Sequence, residues 1–270
     1  MKGDFKIYIS RLINAKIIFL LCFLWRAIPI FFMKSINIST DEFTIIGMAA
    51  HLAGLDWTSA IRPQYYYGYP MTFIYAPIFL LKPLLEYPVL LYQLCLFINA
   101  LLGLLNTWVV YRLLLKLYGD DKSNKMVLWL TLIFSLATSS IASEKVLTND
   151  TLLSVCFNLA IYLCVGFTKY FKKKNIINSV LLGAISLLAY AVNGRGIILT
   201  GMIIILCLIM KAFHKTYHLY ISAYLLSISG FLFVHSKIKA YYVATFFTSE
   251  NIQVANSGFG NYTEILKRWC

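Results

Sequence analysis

The chain has 270 residues, of which 60% are hydrophobic and only 13% charged, and its mean hydropathy is +0.74. This composition excludes an ordinary soluble globular domain and predicts a polytopic membrane protein. The net charge of +13 gives no reason to expect a nucleic-acid partner, because the basic residues are spread over short loops beside apolar runs.

The first apolar run, residues 17–33, follows a basic N-terminal region. No small-residue cleavage site follows the run, so we interpret it as a membrane anchor and not as a signal peptide. Arg26 lies inside this run. It is either an intramembrane functional group or a side chain that extends to the interface, and the sequence leaves both open.

An acid pair, Asp41 and Glu42, follows the first run in the stretch STDEFTIIG. The spacing of apolar residues beyond it predicts an interfacial helix with one polar face. Ser39 and Glu42 match a helix capping box, and an acid in the first turn favours the helix dipole. A functional role for the pair and a capping role therefore both remain open.

The rest of the predicted outer loop, about residues 35–86, is rich in aromatic residues. The segment RPQYYYGYP surrounds Arg62 with tyrosines, so Arg62, Tyr66 and Tyr67 are candidate substrate-binding residues; the alternative is an interfacial aromatic belt. Two prolines interrupt residues 71–85, which favours a surface or re-entrant helix over a clean span.

Seven runs are long enough to span a membrane. They lie near 17–34, 87–111, 126–142, 151–168, 176–194, 196–210 and 219–235. Asp150 begins the fourth run, where it is either a functional acid or a helix N-terminal acid. Arg195 is the charged residue of the Asn193-to-Gly196 hairpin, where it suits phosphate recognition or extends to the interface.

Charge sets the predicted topology. Fourteen of the 24 basic residues fall on the N-terminal side of the seven spans, whereas eight of the 11 acids fall on the other side. The positive-inside rule therefore predicts a cytoplasmic N-terminus, with the acidic loops outside. The predicted fold is an all-α polytopic transmembrane bundle with interfacial helices in the first outer loop. We expect a membrane domain over 1–235 and an outer tail over 236–270.

The order of these parts resembles the GT-C membrane glycosyltransferases, in particular family 39, which includes protein O-mannosyltransferases and aminoarabinose transferases. The resemblance is carried by short motifs over most of the first 210 residues. The matching segments are STDEFTIIGMAAHLAGLDW, YYGYPMTFIYAPIFLLKPLL, LYQLCLFINALLGLLNTWVVYRLLLKLYG, SSIASEKVLTNDTLLSVCFNLAIYL and LLAYAVNGRGIIL.

The resemblance implies transfer of a sugar from a polyprenyl-phosphate donor to a lipid, protein or glycan acceptor on the outer face of the cell membrane, with inversion. It implies that Asp41 acts as general base and that Glu42 is the second acid of the catalytic pair. It matches Asp150 to the acid of the second outer loop. Arg62 and Arg195 are candidates for holding the carrier phosphate by location.

Some relatives use a divalent cation, but no local ligand set predicts a metal site here. Family members carry more spans and often an outer soluble domain, so we expect this chain to be a truncated member. The alternatives are a non-enzymatic transporter or flippase, a polymerase component that handles lipid-linked saccharides, and a structural subunit.

Overall fold

The computed structural model describes residues 15–33, 40–55, 69–118, 125–137, 147, 149–167, 173–213 and 217–246. Secondary structure within these ranges is helical throughout and includes no strand. The α-helices are α1 (Ala15–Phe31), α2 (Thr40–Leu52), α3 (Tyr69–Phe79), α4 (Pro88–Tyr118), α5 (Lys125–Leu136), α6 (Asp150–Val165), α7 (Lys173–Val192), α8 (Ile197–Phe213) and α9 (Tyr217–Phe246). Two 3-10 turns, Lys82–Glu86 and Gly194–Gly196, join α3 to α4 and α7 to α8.

Three described helices are long and apolar enough to cross a membrane, namely Pro88–Tyr118, Lys173–Val192 and His218–Tyr241. Other apolar helices are shorter, and α5, with 12 residues, is the shortest of the predicted spans. A helix of that length extends about 18 Å at 1.5 Å per residue, less than the roughly 30 Å hydrocarbon core. The seven-span count and the sidedness therefore stay predictions.

The chain divides into two compact units. Unit 1 comprises residues 1–37 and 81–178, and unit 2 comprises residues 38–80 and 179–270. Because α7 crosses the boundary at residues 178 and 179, its first residues belong to unit 1 and the remainder to unit 2. The division by residues 1–235 and 236–270 that the sequence suggests stays a prediction.

Helices α1 and α4 of unit 1 run in opposite directions. The early α1 residue Phe19 packs edge-on against the late α4 residue Tyr111, with ring centroids 5.6 Å apart. Gln93, early in α4, donates to the Met33 carbonyl just beyond α1 at 3.0 Å. These two contacts make α1 and α4 antiparallel, in agreement with the sequence-based prediction that they are consecutive spans.

The core of unit 1 joins α1, α4 and α5. It consists of Ile18, Cys22, Tyr111, Leu115, Val127 and Leu128. A polar network connects α4 to α6, in which Asn106 donates to Ser154 at 3.0 Å and accepts from Asn158 at 2.8 Å. Amide pairs of this kind satisfy polar groups between helices where lipid supplies no partner.

The same two helices meet again at their C-terminal ends. Lys116 donates to the Tyr162 carbonyl at 2.9 Å and lies 3.4 Å from the centroid of the Tyr162 ring. That carbonyl belongs to the last turn of α6, where helix acceptors lack intrahelical partners and a cation is favourable. The Lys116 side chain therefore caps the C-terminus of α6.

In unit 2, α2 packs on α3 and ends in a Schellman motif. Leu55 donates its backbone N–H to Ala50, Gly54 donates to His51, and Gly54 has φ of +85°. Glycine adopts this left-handed conformation without a Cβ penalty, which explains where α2 stops.

Small residues bring α7 and α9 close together in unit 2. Ser227 donates its hydroxyl to the Val180 carbonyl at 2.8 Å, and a Cβ built on Gly183 would collide with the Ser227 side chain. Ser186 and Tyr224 join the same helices by a 3.0 Å hydrogen bond between their hydroxyls. This close approach is typical of helix pairs in membranes. Lipid removes the hydrophobic driving force for helix association, and small residues allow the close van der Waals packing that stabilises the pair instead.

Candidate functional site

The acid pair lies in the first turn of α2. The helix begins at Thr40, so Asp41 and Glu42 are its second and third residues. That position agrees with the capping-box pattern, which places the glutamate third in the helix. Ser39 and the Asp41 side chain lie outside the described part of the structure. The Glu42 side chain is 1% exposed.

The face of α2 that carries Glu42 is buried. Ile45, Ile46 and Ala49, three, four and seven residues further on, share its face and are also buried. Asp41 is one residue earlier and is rotated from Glu42 by about 100° around the helix. The two positions therefore lie on different faces of α2, and the burial of Glu42 applies to its own face.

Helix α2 is more enclosed than the interfacial helix that the sequence predicts. Residues 45–50 are buried consecutively, which covers every side of the helix over more than one turn. An amphipathic surface helix instead keeps one polar face in water. The sequence predicts the helix but not its enclosure, because its small residues, Gly47, Ala49 and Ala50, allow neighbouring elements to approach from all sides.

The second predicted acid, Asp150, begins α6 in unit 1 and is partly exposed. Its neighbour Asn149 occupies the N-cap position but makes no side-chain capping bond. The Asn149 side chain is 0% exposed, and neither its Nδ2 nor its Oδ1 has a hydrogen-bond partner within the part of the chain that the structure describes. Asp41 and Glu42 belong to unit 2, so the structure assigns the two predicted acidic elements to separate units.

Arg195 lies in the 3-10 turn between α7 and α8 and is exposed. The Asn193 Oδ1 atom accepts from the Arg195 backbone N–H at 3.0 Å and from its Nε at 3.3 Å. Asn193 thus orients the Arg195 guanidinium through its Nε as well as holding the turn. The remaining predicted substrate-binding residues, Arg62, Tyr66 and Tyr67, lie outside the described residues.

Arg26 is buried, 3% exposed, among α1, α4 and α5. Its guanidinium donates to the Ser135 hydroxyl at 2.6 Å, to the Ser135 carbonyl at 3.0 Å and to the Thr107 hydroxyl at 3.4 Å. The guanidinium is therefore directed into the contact between three helices, and its depth in the membrane and any functional role stay predictions. The Ser135 carbonyl belongs to the last turn of α5, where a cation interacts favourably with the helix dipole.

Sequence reasoning missed a cluster around His235 in unit 2. The hydroxyl oxygen of Tyr69 in α3 lies 2.9 Å from Nδ1 of His235 in α9. The rings of Tyr69 and Tyr190 each lie 5.6 Å from the His235 ring, between centroids. The available signal was a histidine within an apolar span, since ionisable residues there are rare and often functional.

No group of three or more histidine, cysteine or acidic residues that could hold a metal occurs among the residues that the structure describes. The buried cysteines Cys22, Cys95 and Cys156 are free thiols. Comparison with protein-family models, with curated proteins and with solved structures found no match to this chain. Its function is therefore inferred from its residues and their geometry.

Proposed function

We propose that the protein transfers a sugar from a polyprenyl-phosphate donor to an acceptor hydroxyl at the membrane surface, with inversion at the anomeric carbon. The observation that carries the proposal is the acid pair at the start of an enclosed helix in an all-helical membrane chain. An acid fixed on a packed helix meets the need of a general base for a constant position. The motif resemblance to GT-C glycosyltransferases supplies the reaction.

In this reaction Asp41 accepts the proton of the acceptor hydroxyl while the hydroxyl oxygen attacks the anomeric carbon. The bond between that carbon and the phosphate oxygen breaks, and its electrons leave with polyprenyl phosphate. Two kinds of group are then needed: a carboxylate near the acceptor and cations near the leaving phosphate. Arg62 and Arg195 are the proposed cations, and the exposed, asparagine-braced Arg195 is able to meet a phosphate.

The two acids of the pair are assigned different parts. Glu42 is 1% exposed, so it stabilises the start of α2 and positions its neighbour. Asp41 occupies the preceding helix position, about 100° around the helix from Glu42, and is the proposed base. Asp150, Tyr66 and Tyr67 are proposed to bind sugar hydroxyls, for which carboxylate and phenol groups supply acceptors and donors. A divalent cation is not required by this assignment.

A second candidate function is a transporter, flippase or polymerase component for lipid-linked saccharides. One observation favours it: Arg26 is a buried charge inside an apolar helix, and transporters place such groups along substrate pathways. The hydrogen bonds of Arg26 to Ser135 and Thr107 account for it equally as a structural link between helices. We therefore prefer the transferase.

The test is release of polyprenyl phosphate from a labelled polyprenyl-phosphate hexose by membranes that contain the chain. Asp41→Asn is expected to lower the rate by at least about a hundredfold, which is within the usual contribution of a general base. Glu86→Gln, which changes an exposed acid in the Lys82–Glu86 turn, is the matched control and should retain the rate. Equal protein levels must be shown by quantitative blotting.

Release that persists in Asp41→Asn at the wild-type rate would contradict the role of Asp41. A wild-type chain that binds the lipid but releases none of it, across several donor sugars, would favour the transporter or polymerase component. Substituting Glu42→Gln separates its two roles, because loss of folded protein indicates a structural role and loss of rate alone indicates chemistry.

A further inference from the structure

Within residues 229–237 of α9, which are otherwise exposed, one residue is buried. Residues 231–234, 236 and 237 are exposed, whereas His235 between them is 9% exposed. The burial comes from Tyr69 and Tyr190, whose rings flank the imidazole in unit 2. A polar ring is thereby held in a fixed orientation within a helix that is apolar enough to span a membrane.

The hydrogen bond between Tyr69 and Nδ1 of His235 determines whether the other ring nitrogen, Nε2, is a hydrogen-bond donor. Burial raises the pKa of Tyr69, so its phenol keeps its proton and is able to donate it to Nδ1. When the phenol donates to Nδ1 of a neutral histidine, the ring proton lies on Nε2. The edge opposite Tyr69 is then an N–H donor.

A cation accompanies this donor on the same helix face. Lys239 is four residues after His235, which places the two Cβ atoms about 6 Å apart, and its side chain is partly buried. Lys237 lies on another face, is exposed, and has its ammonium 5.6 Å from the Phe233 ring centroid. Helix α9, Tyr217–Phe246, contains no acidic residue that would neutralise this face.

We propose that His235, oriented by Tyr69, and Lys239 together bind the phosphate group of a lipid. A phosphate accepts hydrogen bonds on several oxygens and carries negative charge, which matches one N–H donor beside one ammonium. A neutral sugar would also need acceptors, and this pair supplies none. The pair lies in the last two turns of the candidate span His218–Tyr241, a depth typical of lipid headgroups.

This inference rests on the proposed function for the identity of the lipid, which is the polyprenyl-phosphate carrier. It adds a phosphate-binding pair on α9 to the arginines proposed above. Tyr69 is a positioning residue because it acts through the histidine ring. The pair contacts the phosphate and takes no part in proton transfer from the acceptor.

The test measures binding of radiolabelled polyprenyl monophosphate to the full chain in nanodiscs, with inorganic phosphate as competitor. Lys239→Gln and His235→Asn should each raise the Kd about tenfold, the effect of losing one charge-assisted hydrogen bond. The asparagine amide reaches the position of Nδ1, so His235→Asn keeps a partner for Tyr69 while it removes Nε2. Lys237→Gln is the matched control and should stay within about twofold of the wild type.

An unchanged Kd in Lys239→Gln, or an equal rise in Lys237→Gln, would overturn the proposal. Inorganic phosphate that displaces the lipid at equal concentration would overturn the lipid as its source. Thermal unfolding of each variant separates loss of fold from loss of binding, and Tyr69→Phe gives a second test if His235→Asn does not fold. Wild-type binding without release of polyprenyl phosphate refutes the transferase but leaves the phosphate site intact.

Discussion

Arg26→Met removes the buried guanidinium that joins α1, α4 and α5 while it keeps most of the side-chain volume. The Ser135 carbonyl loses its donor, and the Ser135 hydroxyl loses its 2.6 Å hydrogen bond but keeps the longer contact with Thr107. Thr107 is less affected, because its hydroxyl also donates to the Gly103 carbonyl at 3.0 Å and contacts Ser135 at 3.3 Å. The lost hydrogen bonds are therefore mainly those at the C-terminal end of α5.

The magnitude follows from these partners. The buried carbonyl left unpaired costs about 1–3 kcal/mol, and loss of the shorter hydroxyl hydrogen bond adds about 0.5–1.5 kcal/mol. Removing the buried charge also removes its desolvation penalty, which offsets part of that cost. We expect a net loss of about 1–3 kcal/mol in the free energy of unfolding, after this offset.

The assay is reversible unfolding of the purified chain in mixed micelles of mild detergent and dodecyl sulphate. Ser135→Ala removes the hydroxyl but keeps the carbonyl, so it should cost about 1 kcal/mol. The double variant should cost less than the sum of the single variants, because the two side chains share one interaction. Lys125→Met, an exposed cation at the start of α5, is the control.

Strict additivity of Arg26→Met and Ser135→Ala would refute the contact between them. Stability of Arg26→Met above that of the wild type would show that desolvation of the guanidinium outweighs all its hydrogen bonds. In that case Arg26 is retained for a reason other than stability, and the transporter interpretation gains support.

Two further predictions concern single side chains. Gly196→Ala should lower the free energy of unfolding by about 1–3 kcal/mol in the same assay, because a Cβ there collides with the Ala189 backbone. Gly201→Ala in α8, where a Cβ meets nothing within 4 Å, is its control and should be neutral or stabilising; equal losses would contradict the packing argument. Lys116→Met should cost about 1–2 kcal/mol by loss of its bond to Tyr162 and its cation–π contact, and an unchanged unfolding midpoint would show that solvent replaces both.

The sequence predicts the helical segments well, because long apolar runs and helix start and stop signals are local. Helix α2 begins at Thr40, one residue after the predicted capping serine, and stops at a glycine that suits the left-handed conformation. Hydropathy gives the apolar character of α4, α7 and α9. It does not give their usable length: the third predicted run, 126–142, is an α-helix over Lys125–Leu136 in the described residues.

The candidate site is predicted in part. The sequence identifies Asp41, Glu42, Asp150 and Arg195 as charged residues beside apolar runs, but each pattern fits both a functional and a structural role. The structure distinguishes Glu42 from an exposed acid by its 1% exposure, and it gives Arg195 an asparagine brace. Burial and bracing depend on neighbours distant in the chain, which no local pattern encodes.

By itself, the sequence determined that this is an apolar, helical, membrane-type chain with an acid pair at a helix start, because composition and periodicity are properties of the chain alone. Only the tertiary structure decided the environment of the ionisable side chains. Arg26 closes the end of α5, and His235 meets a tyrosine 166 positions earlier in the chain. Such contacts arise when helices pack, since a buried polar group must find its partner wherever the fold brings one near.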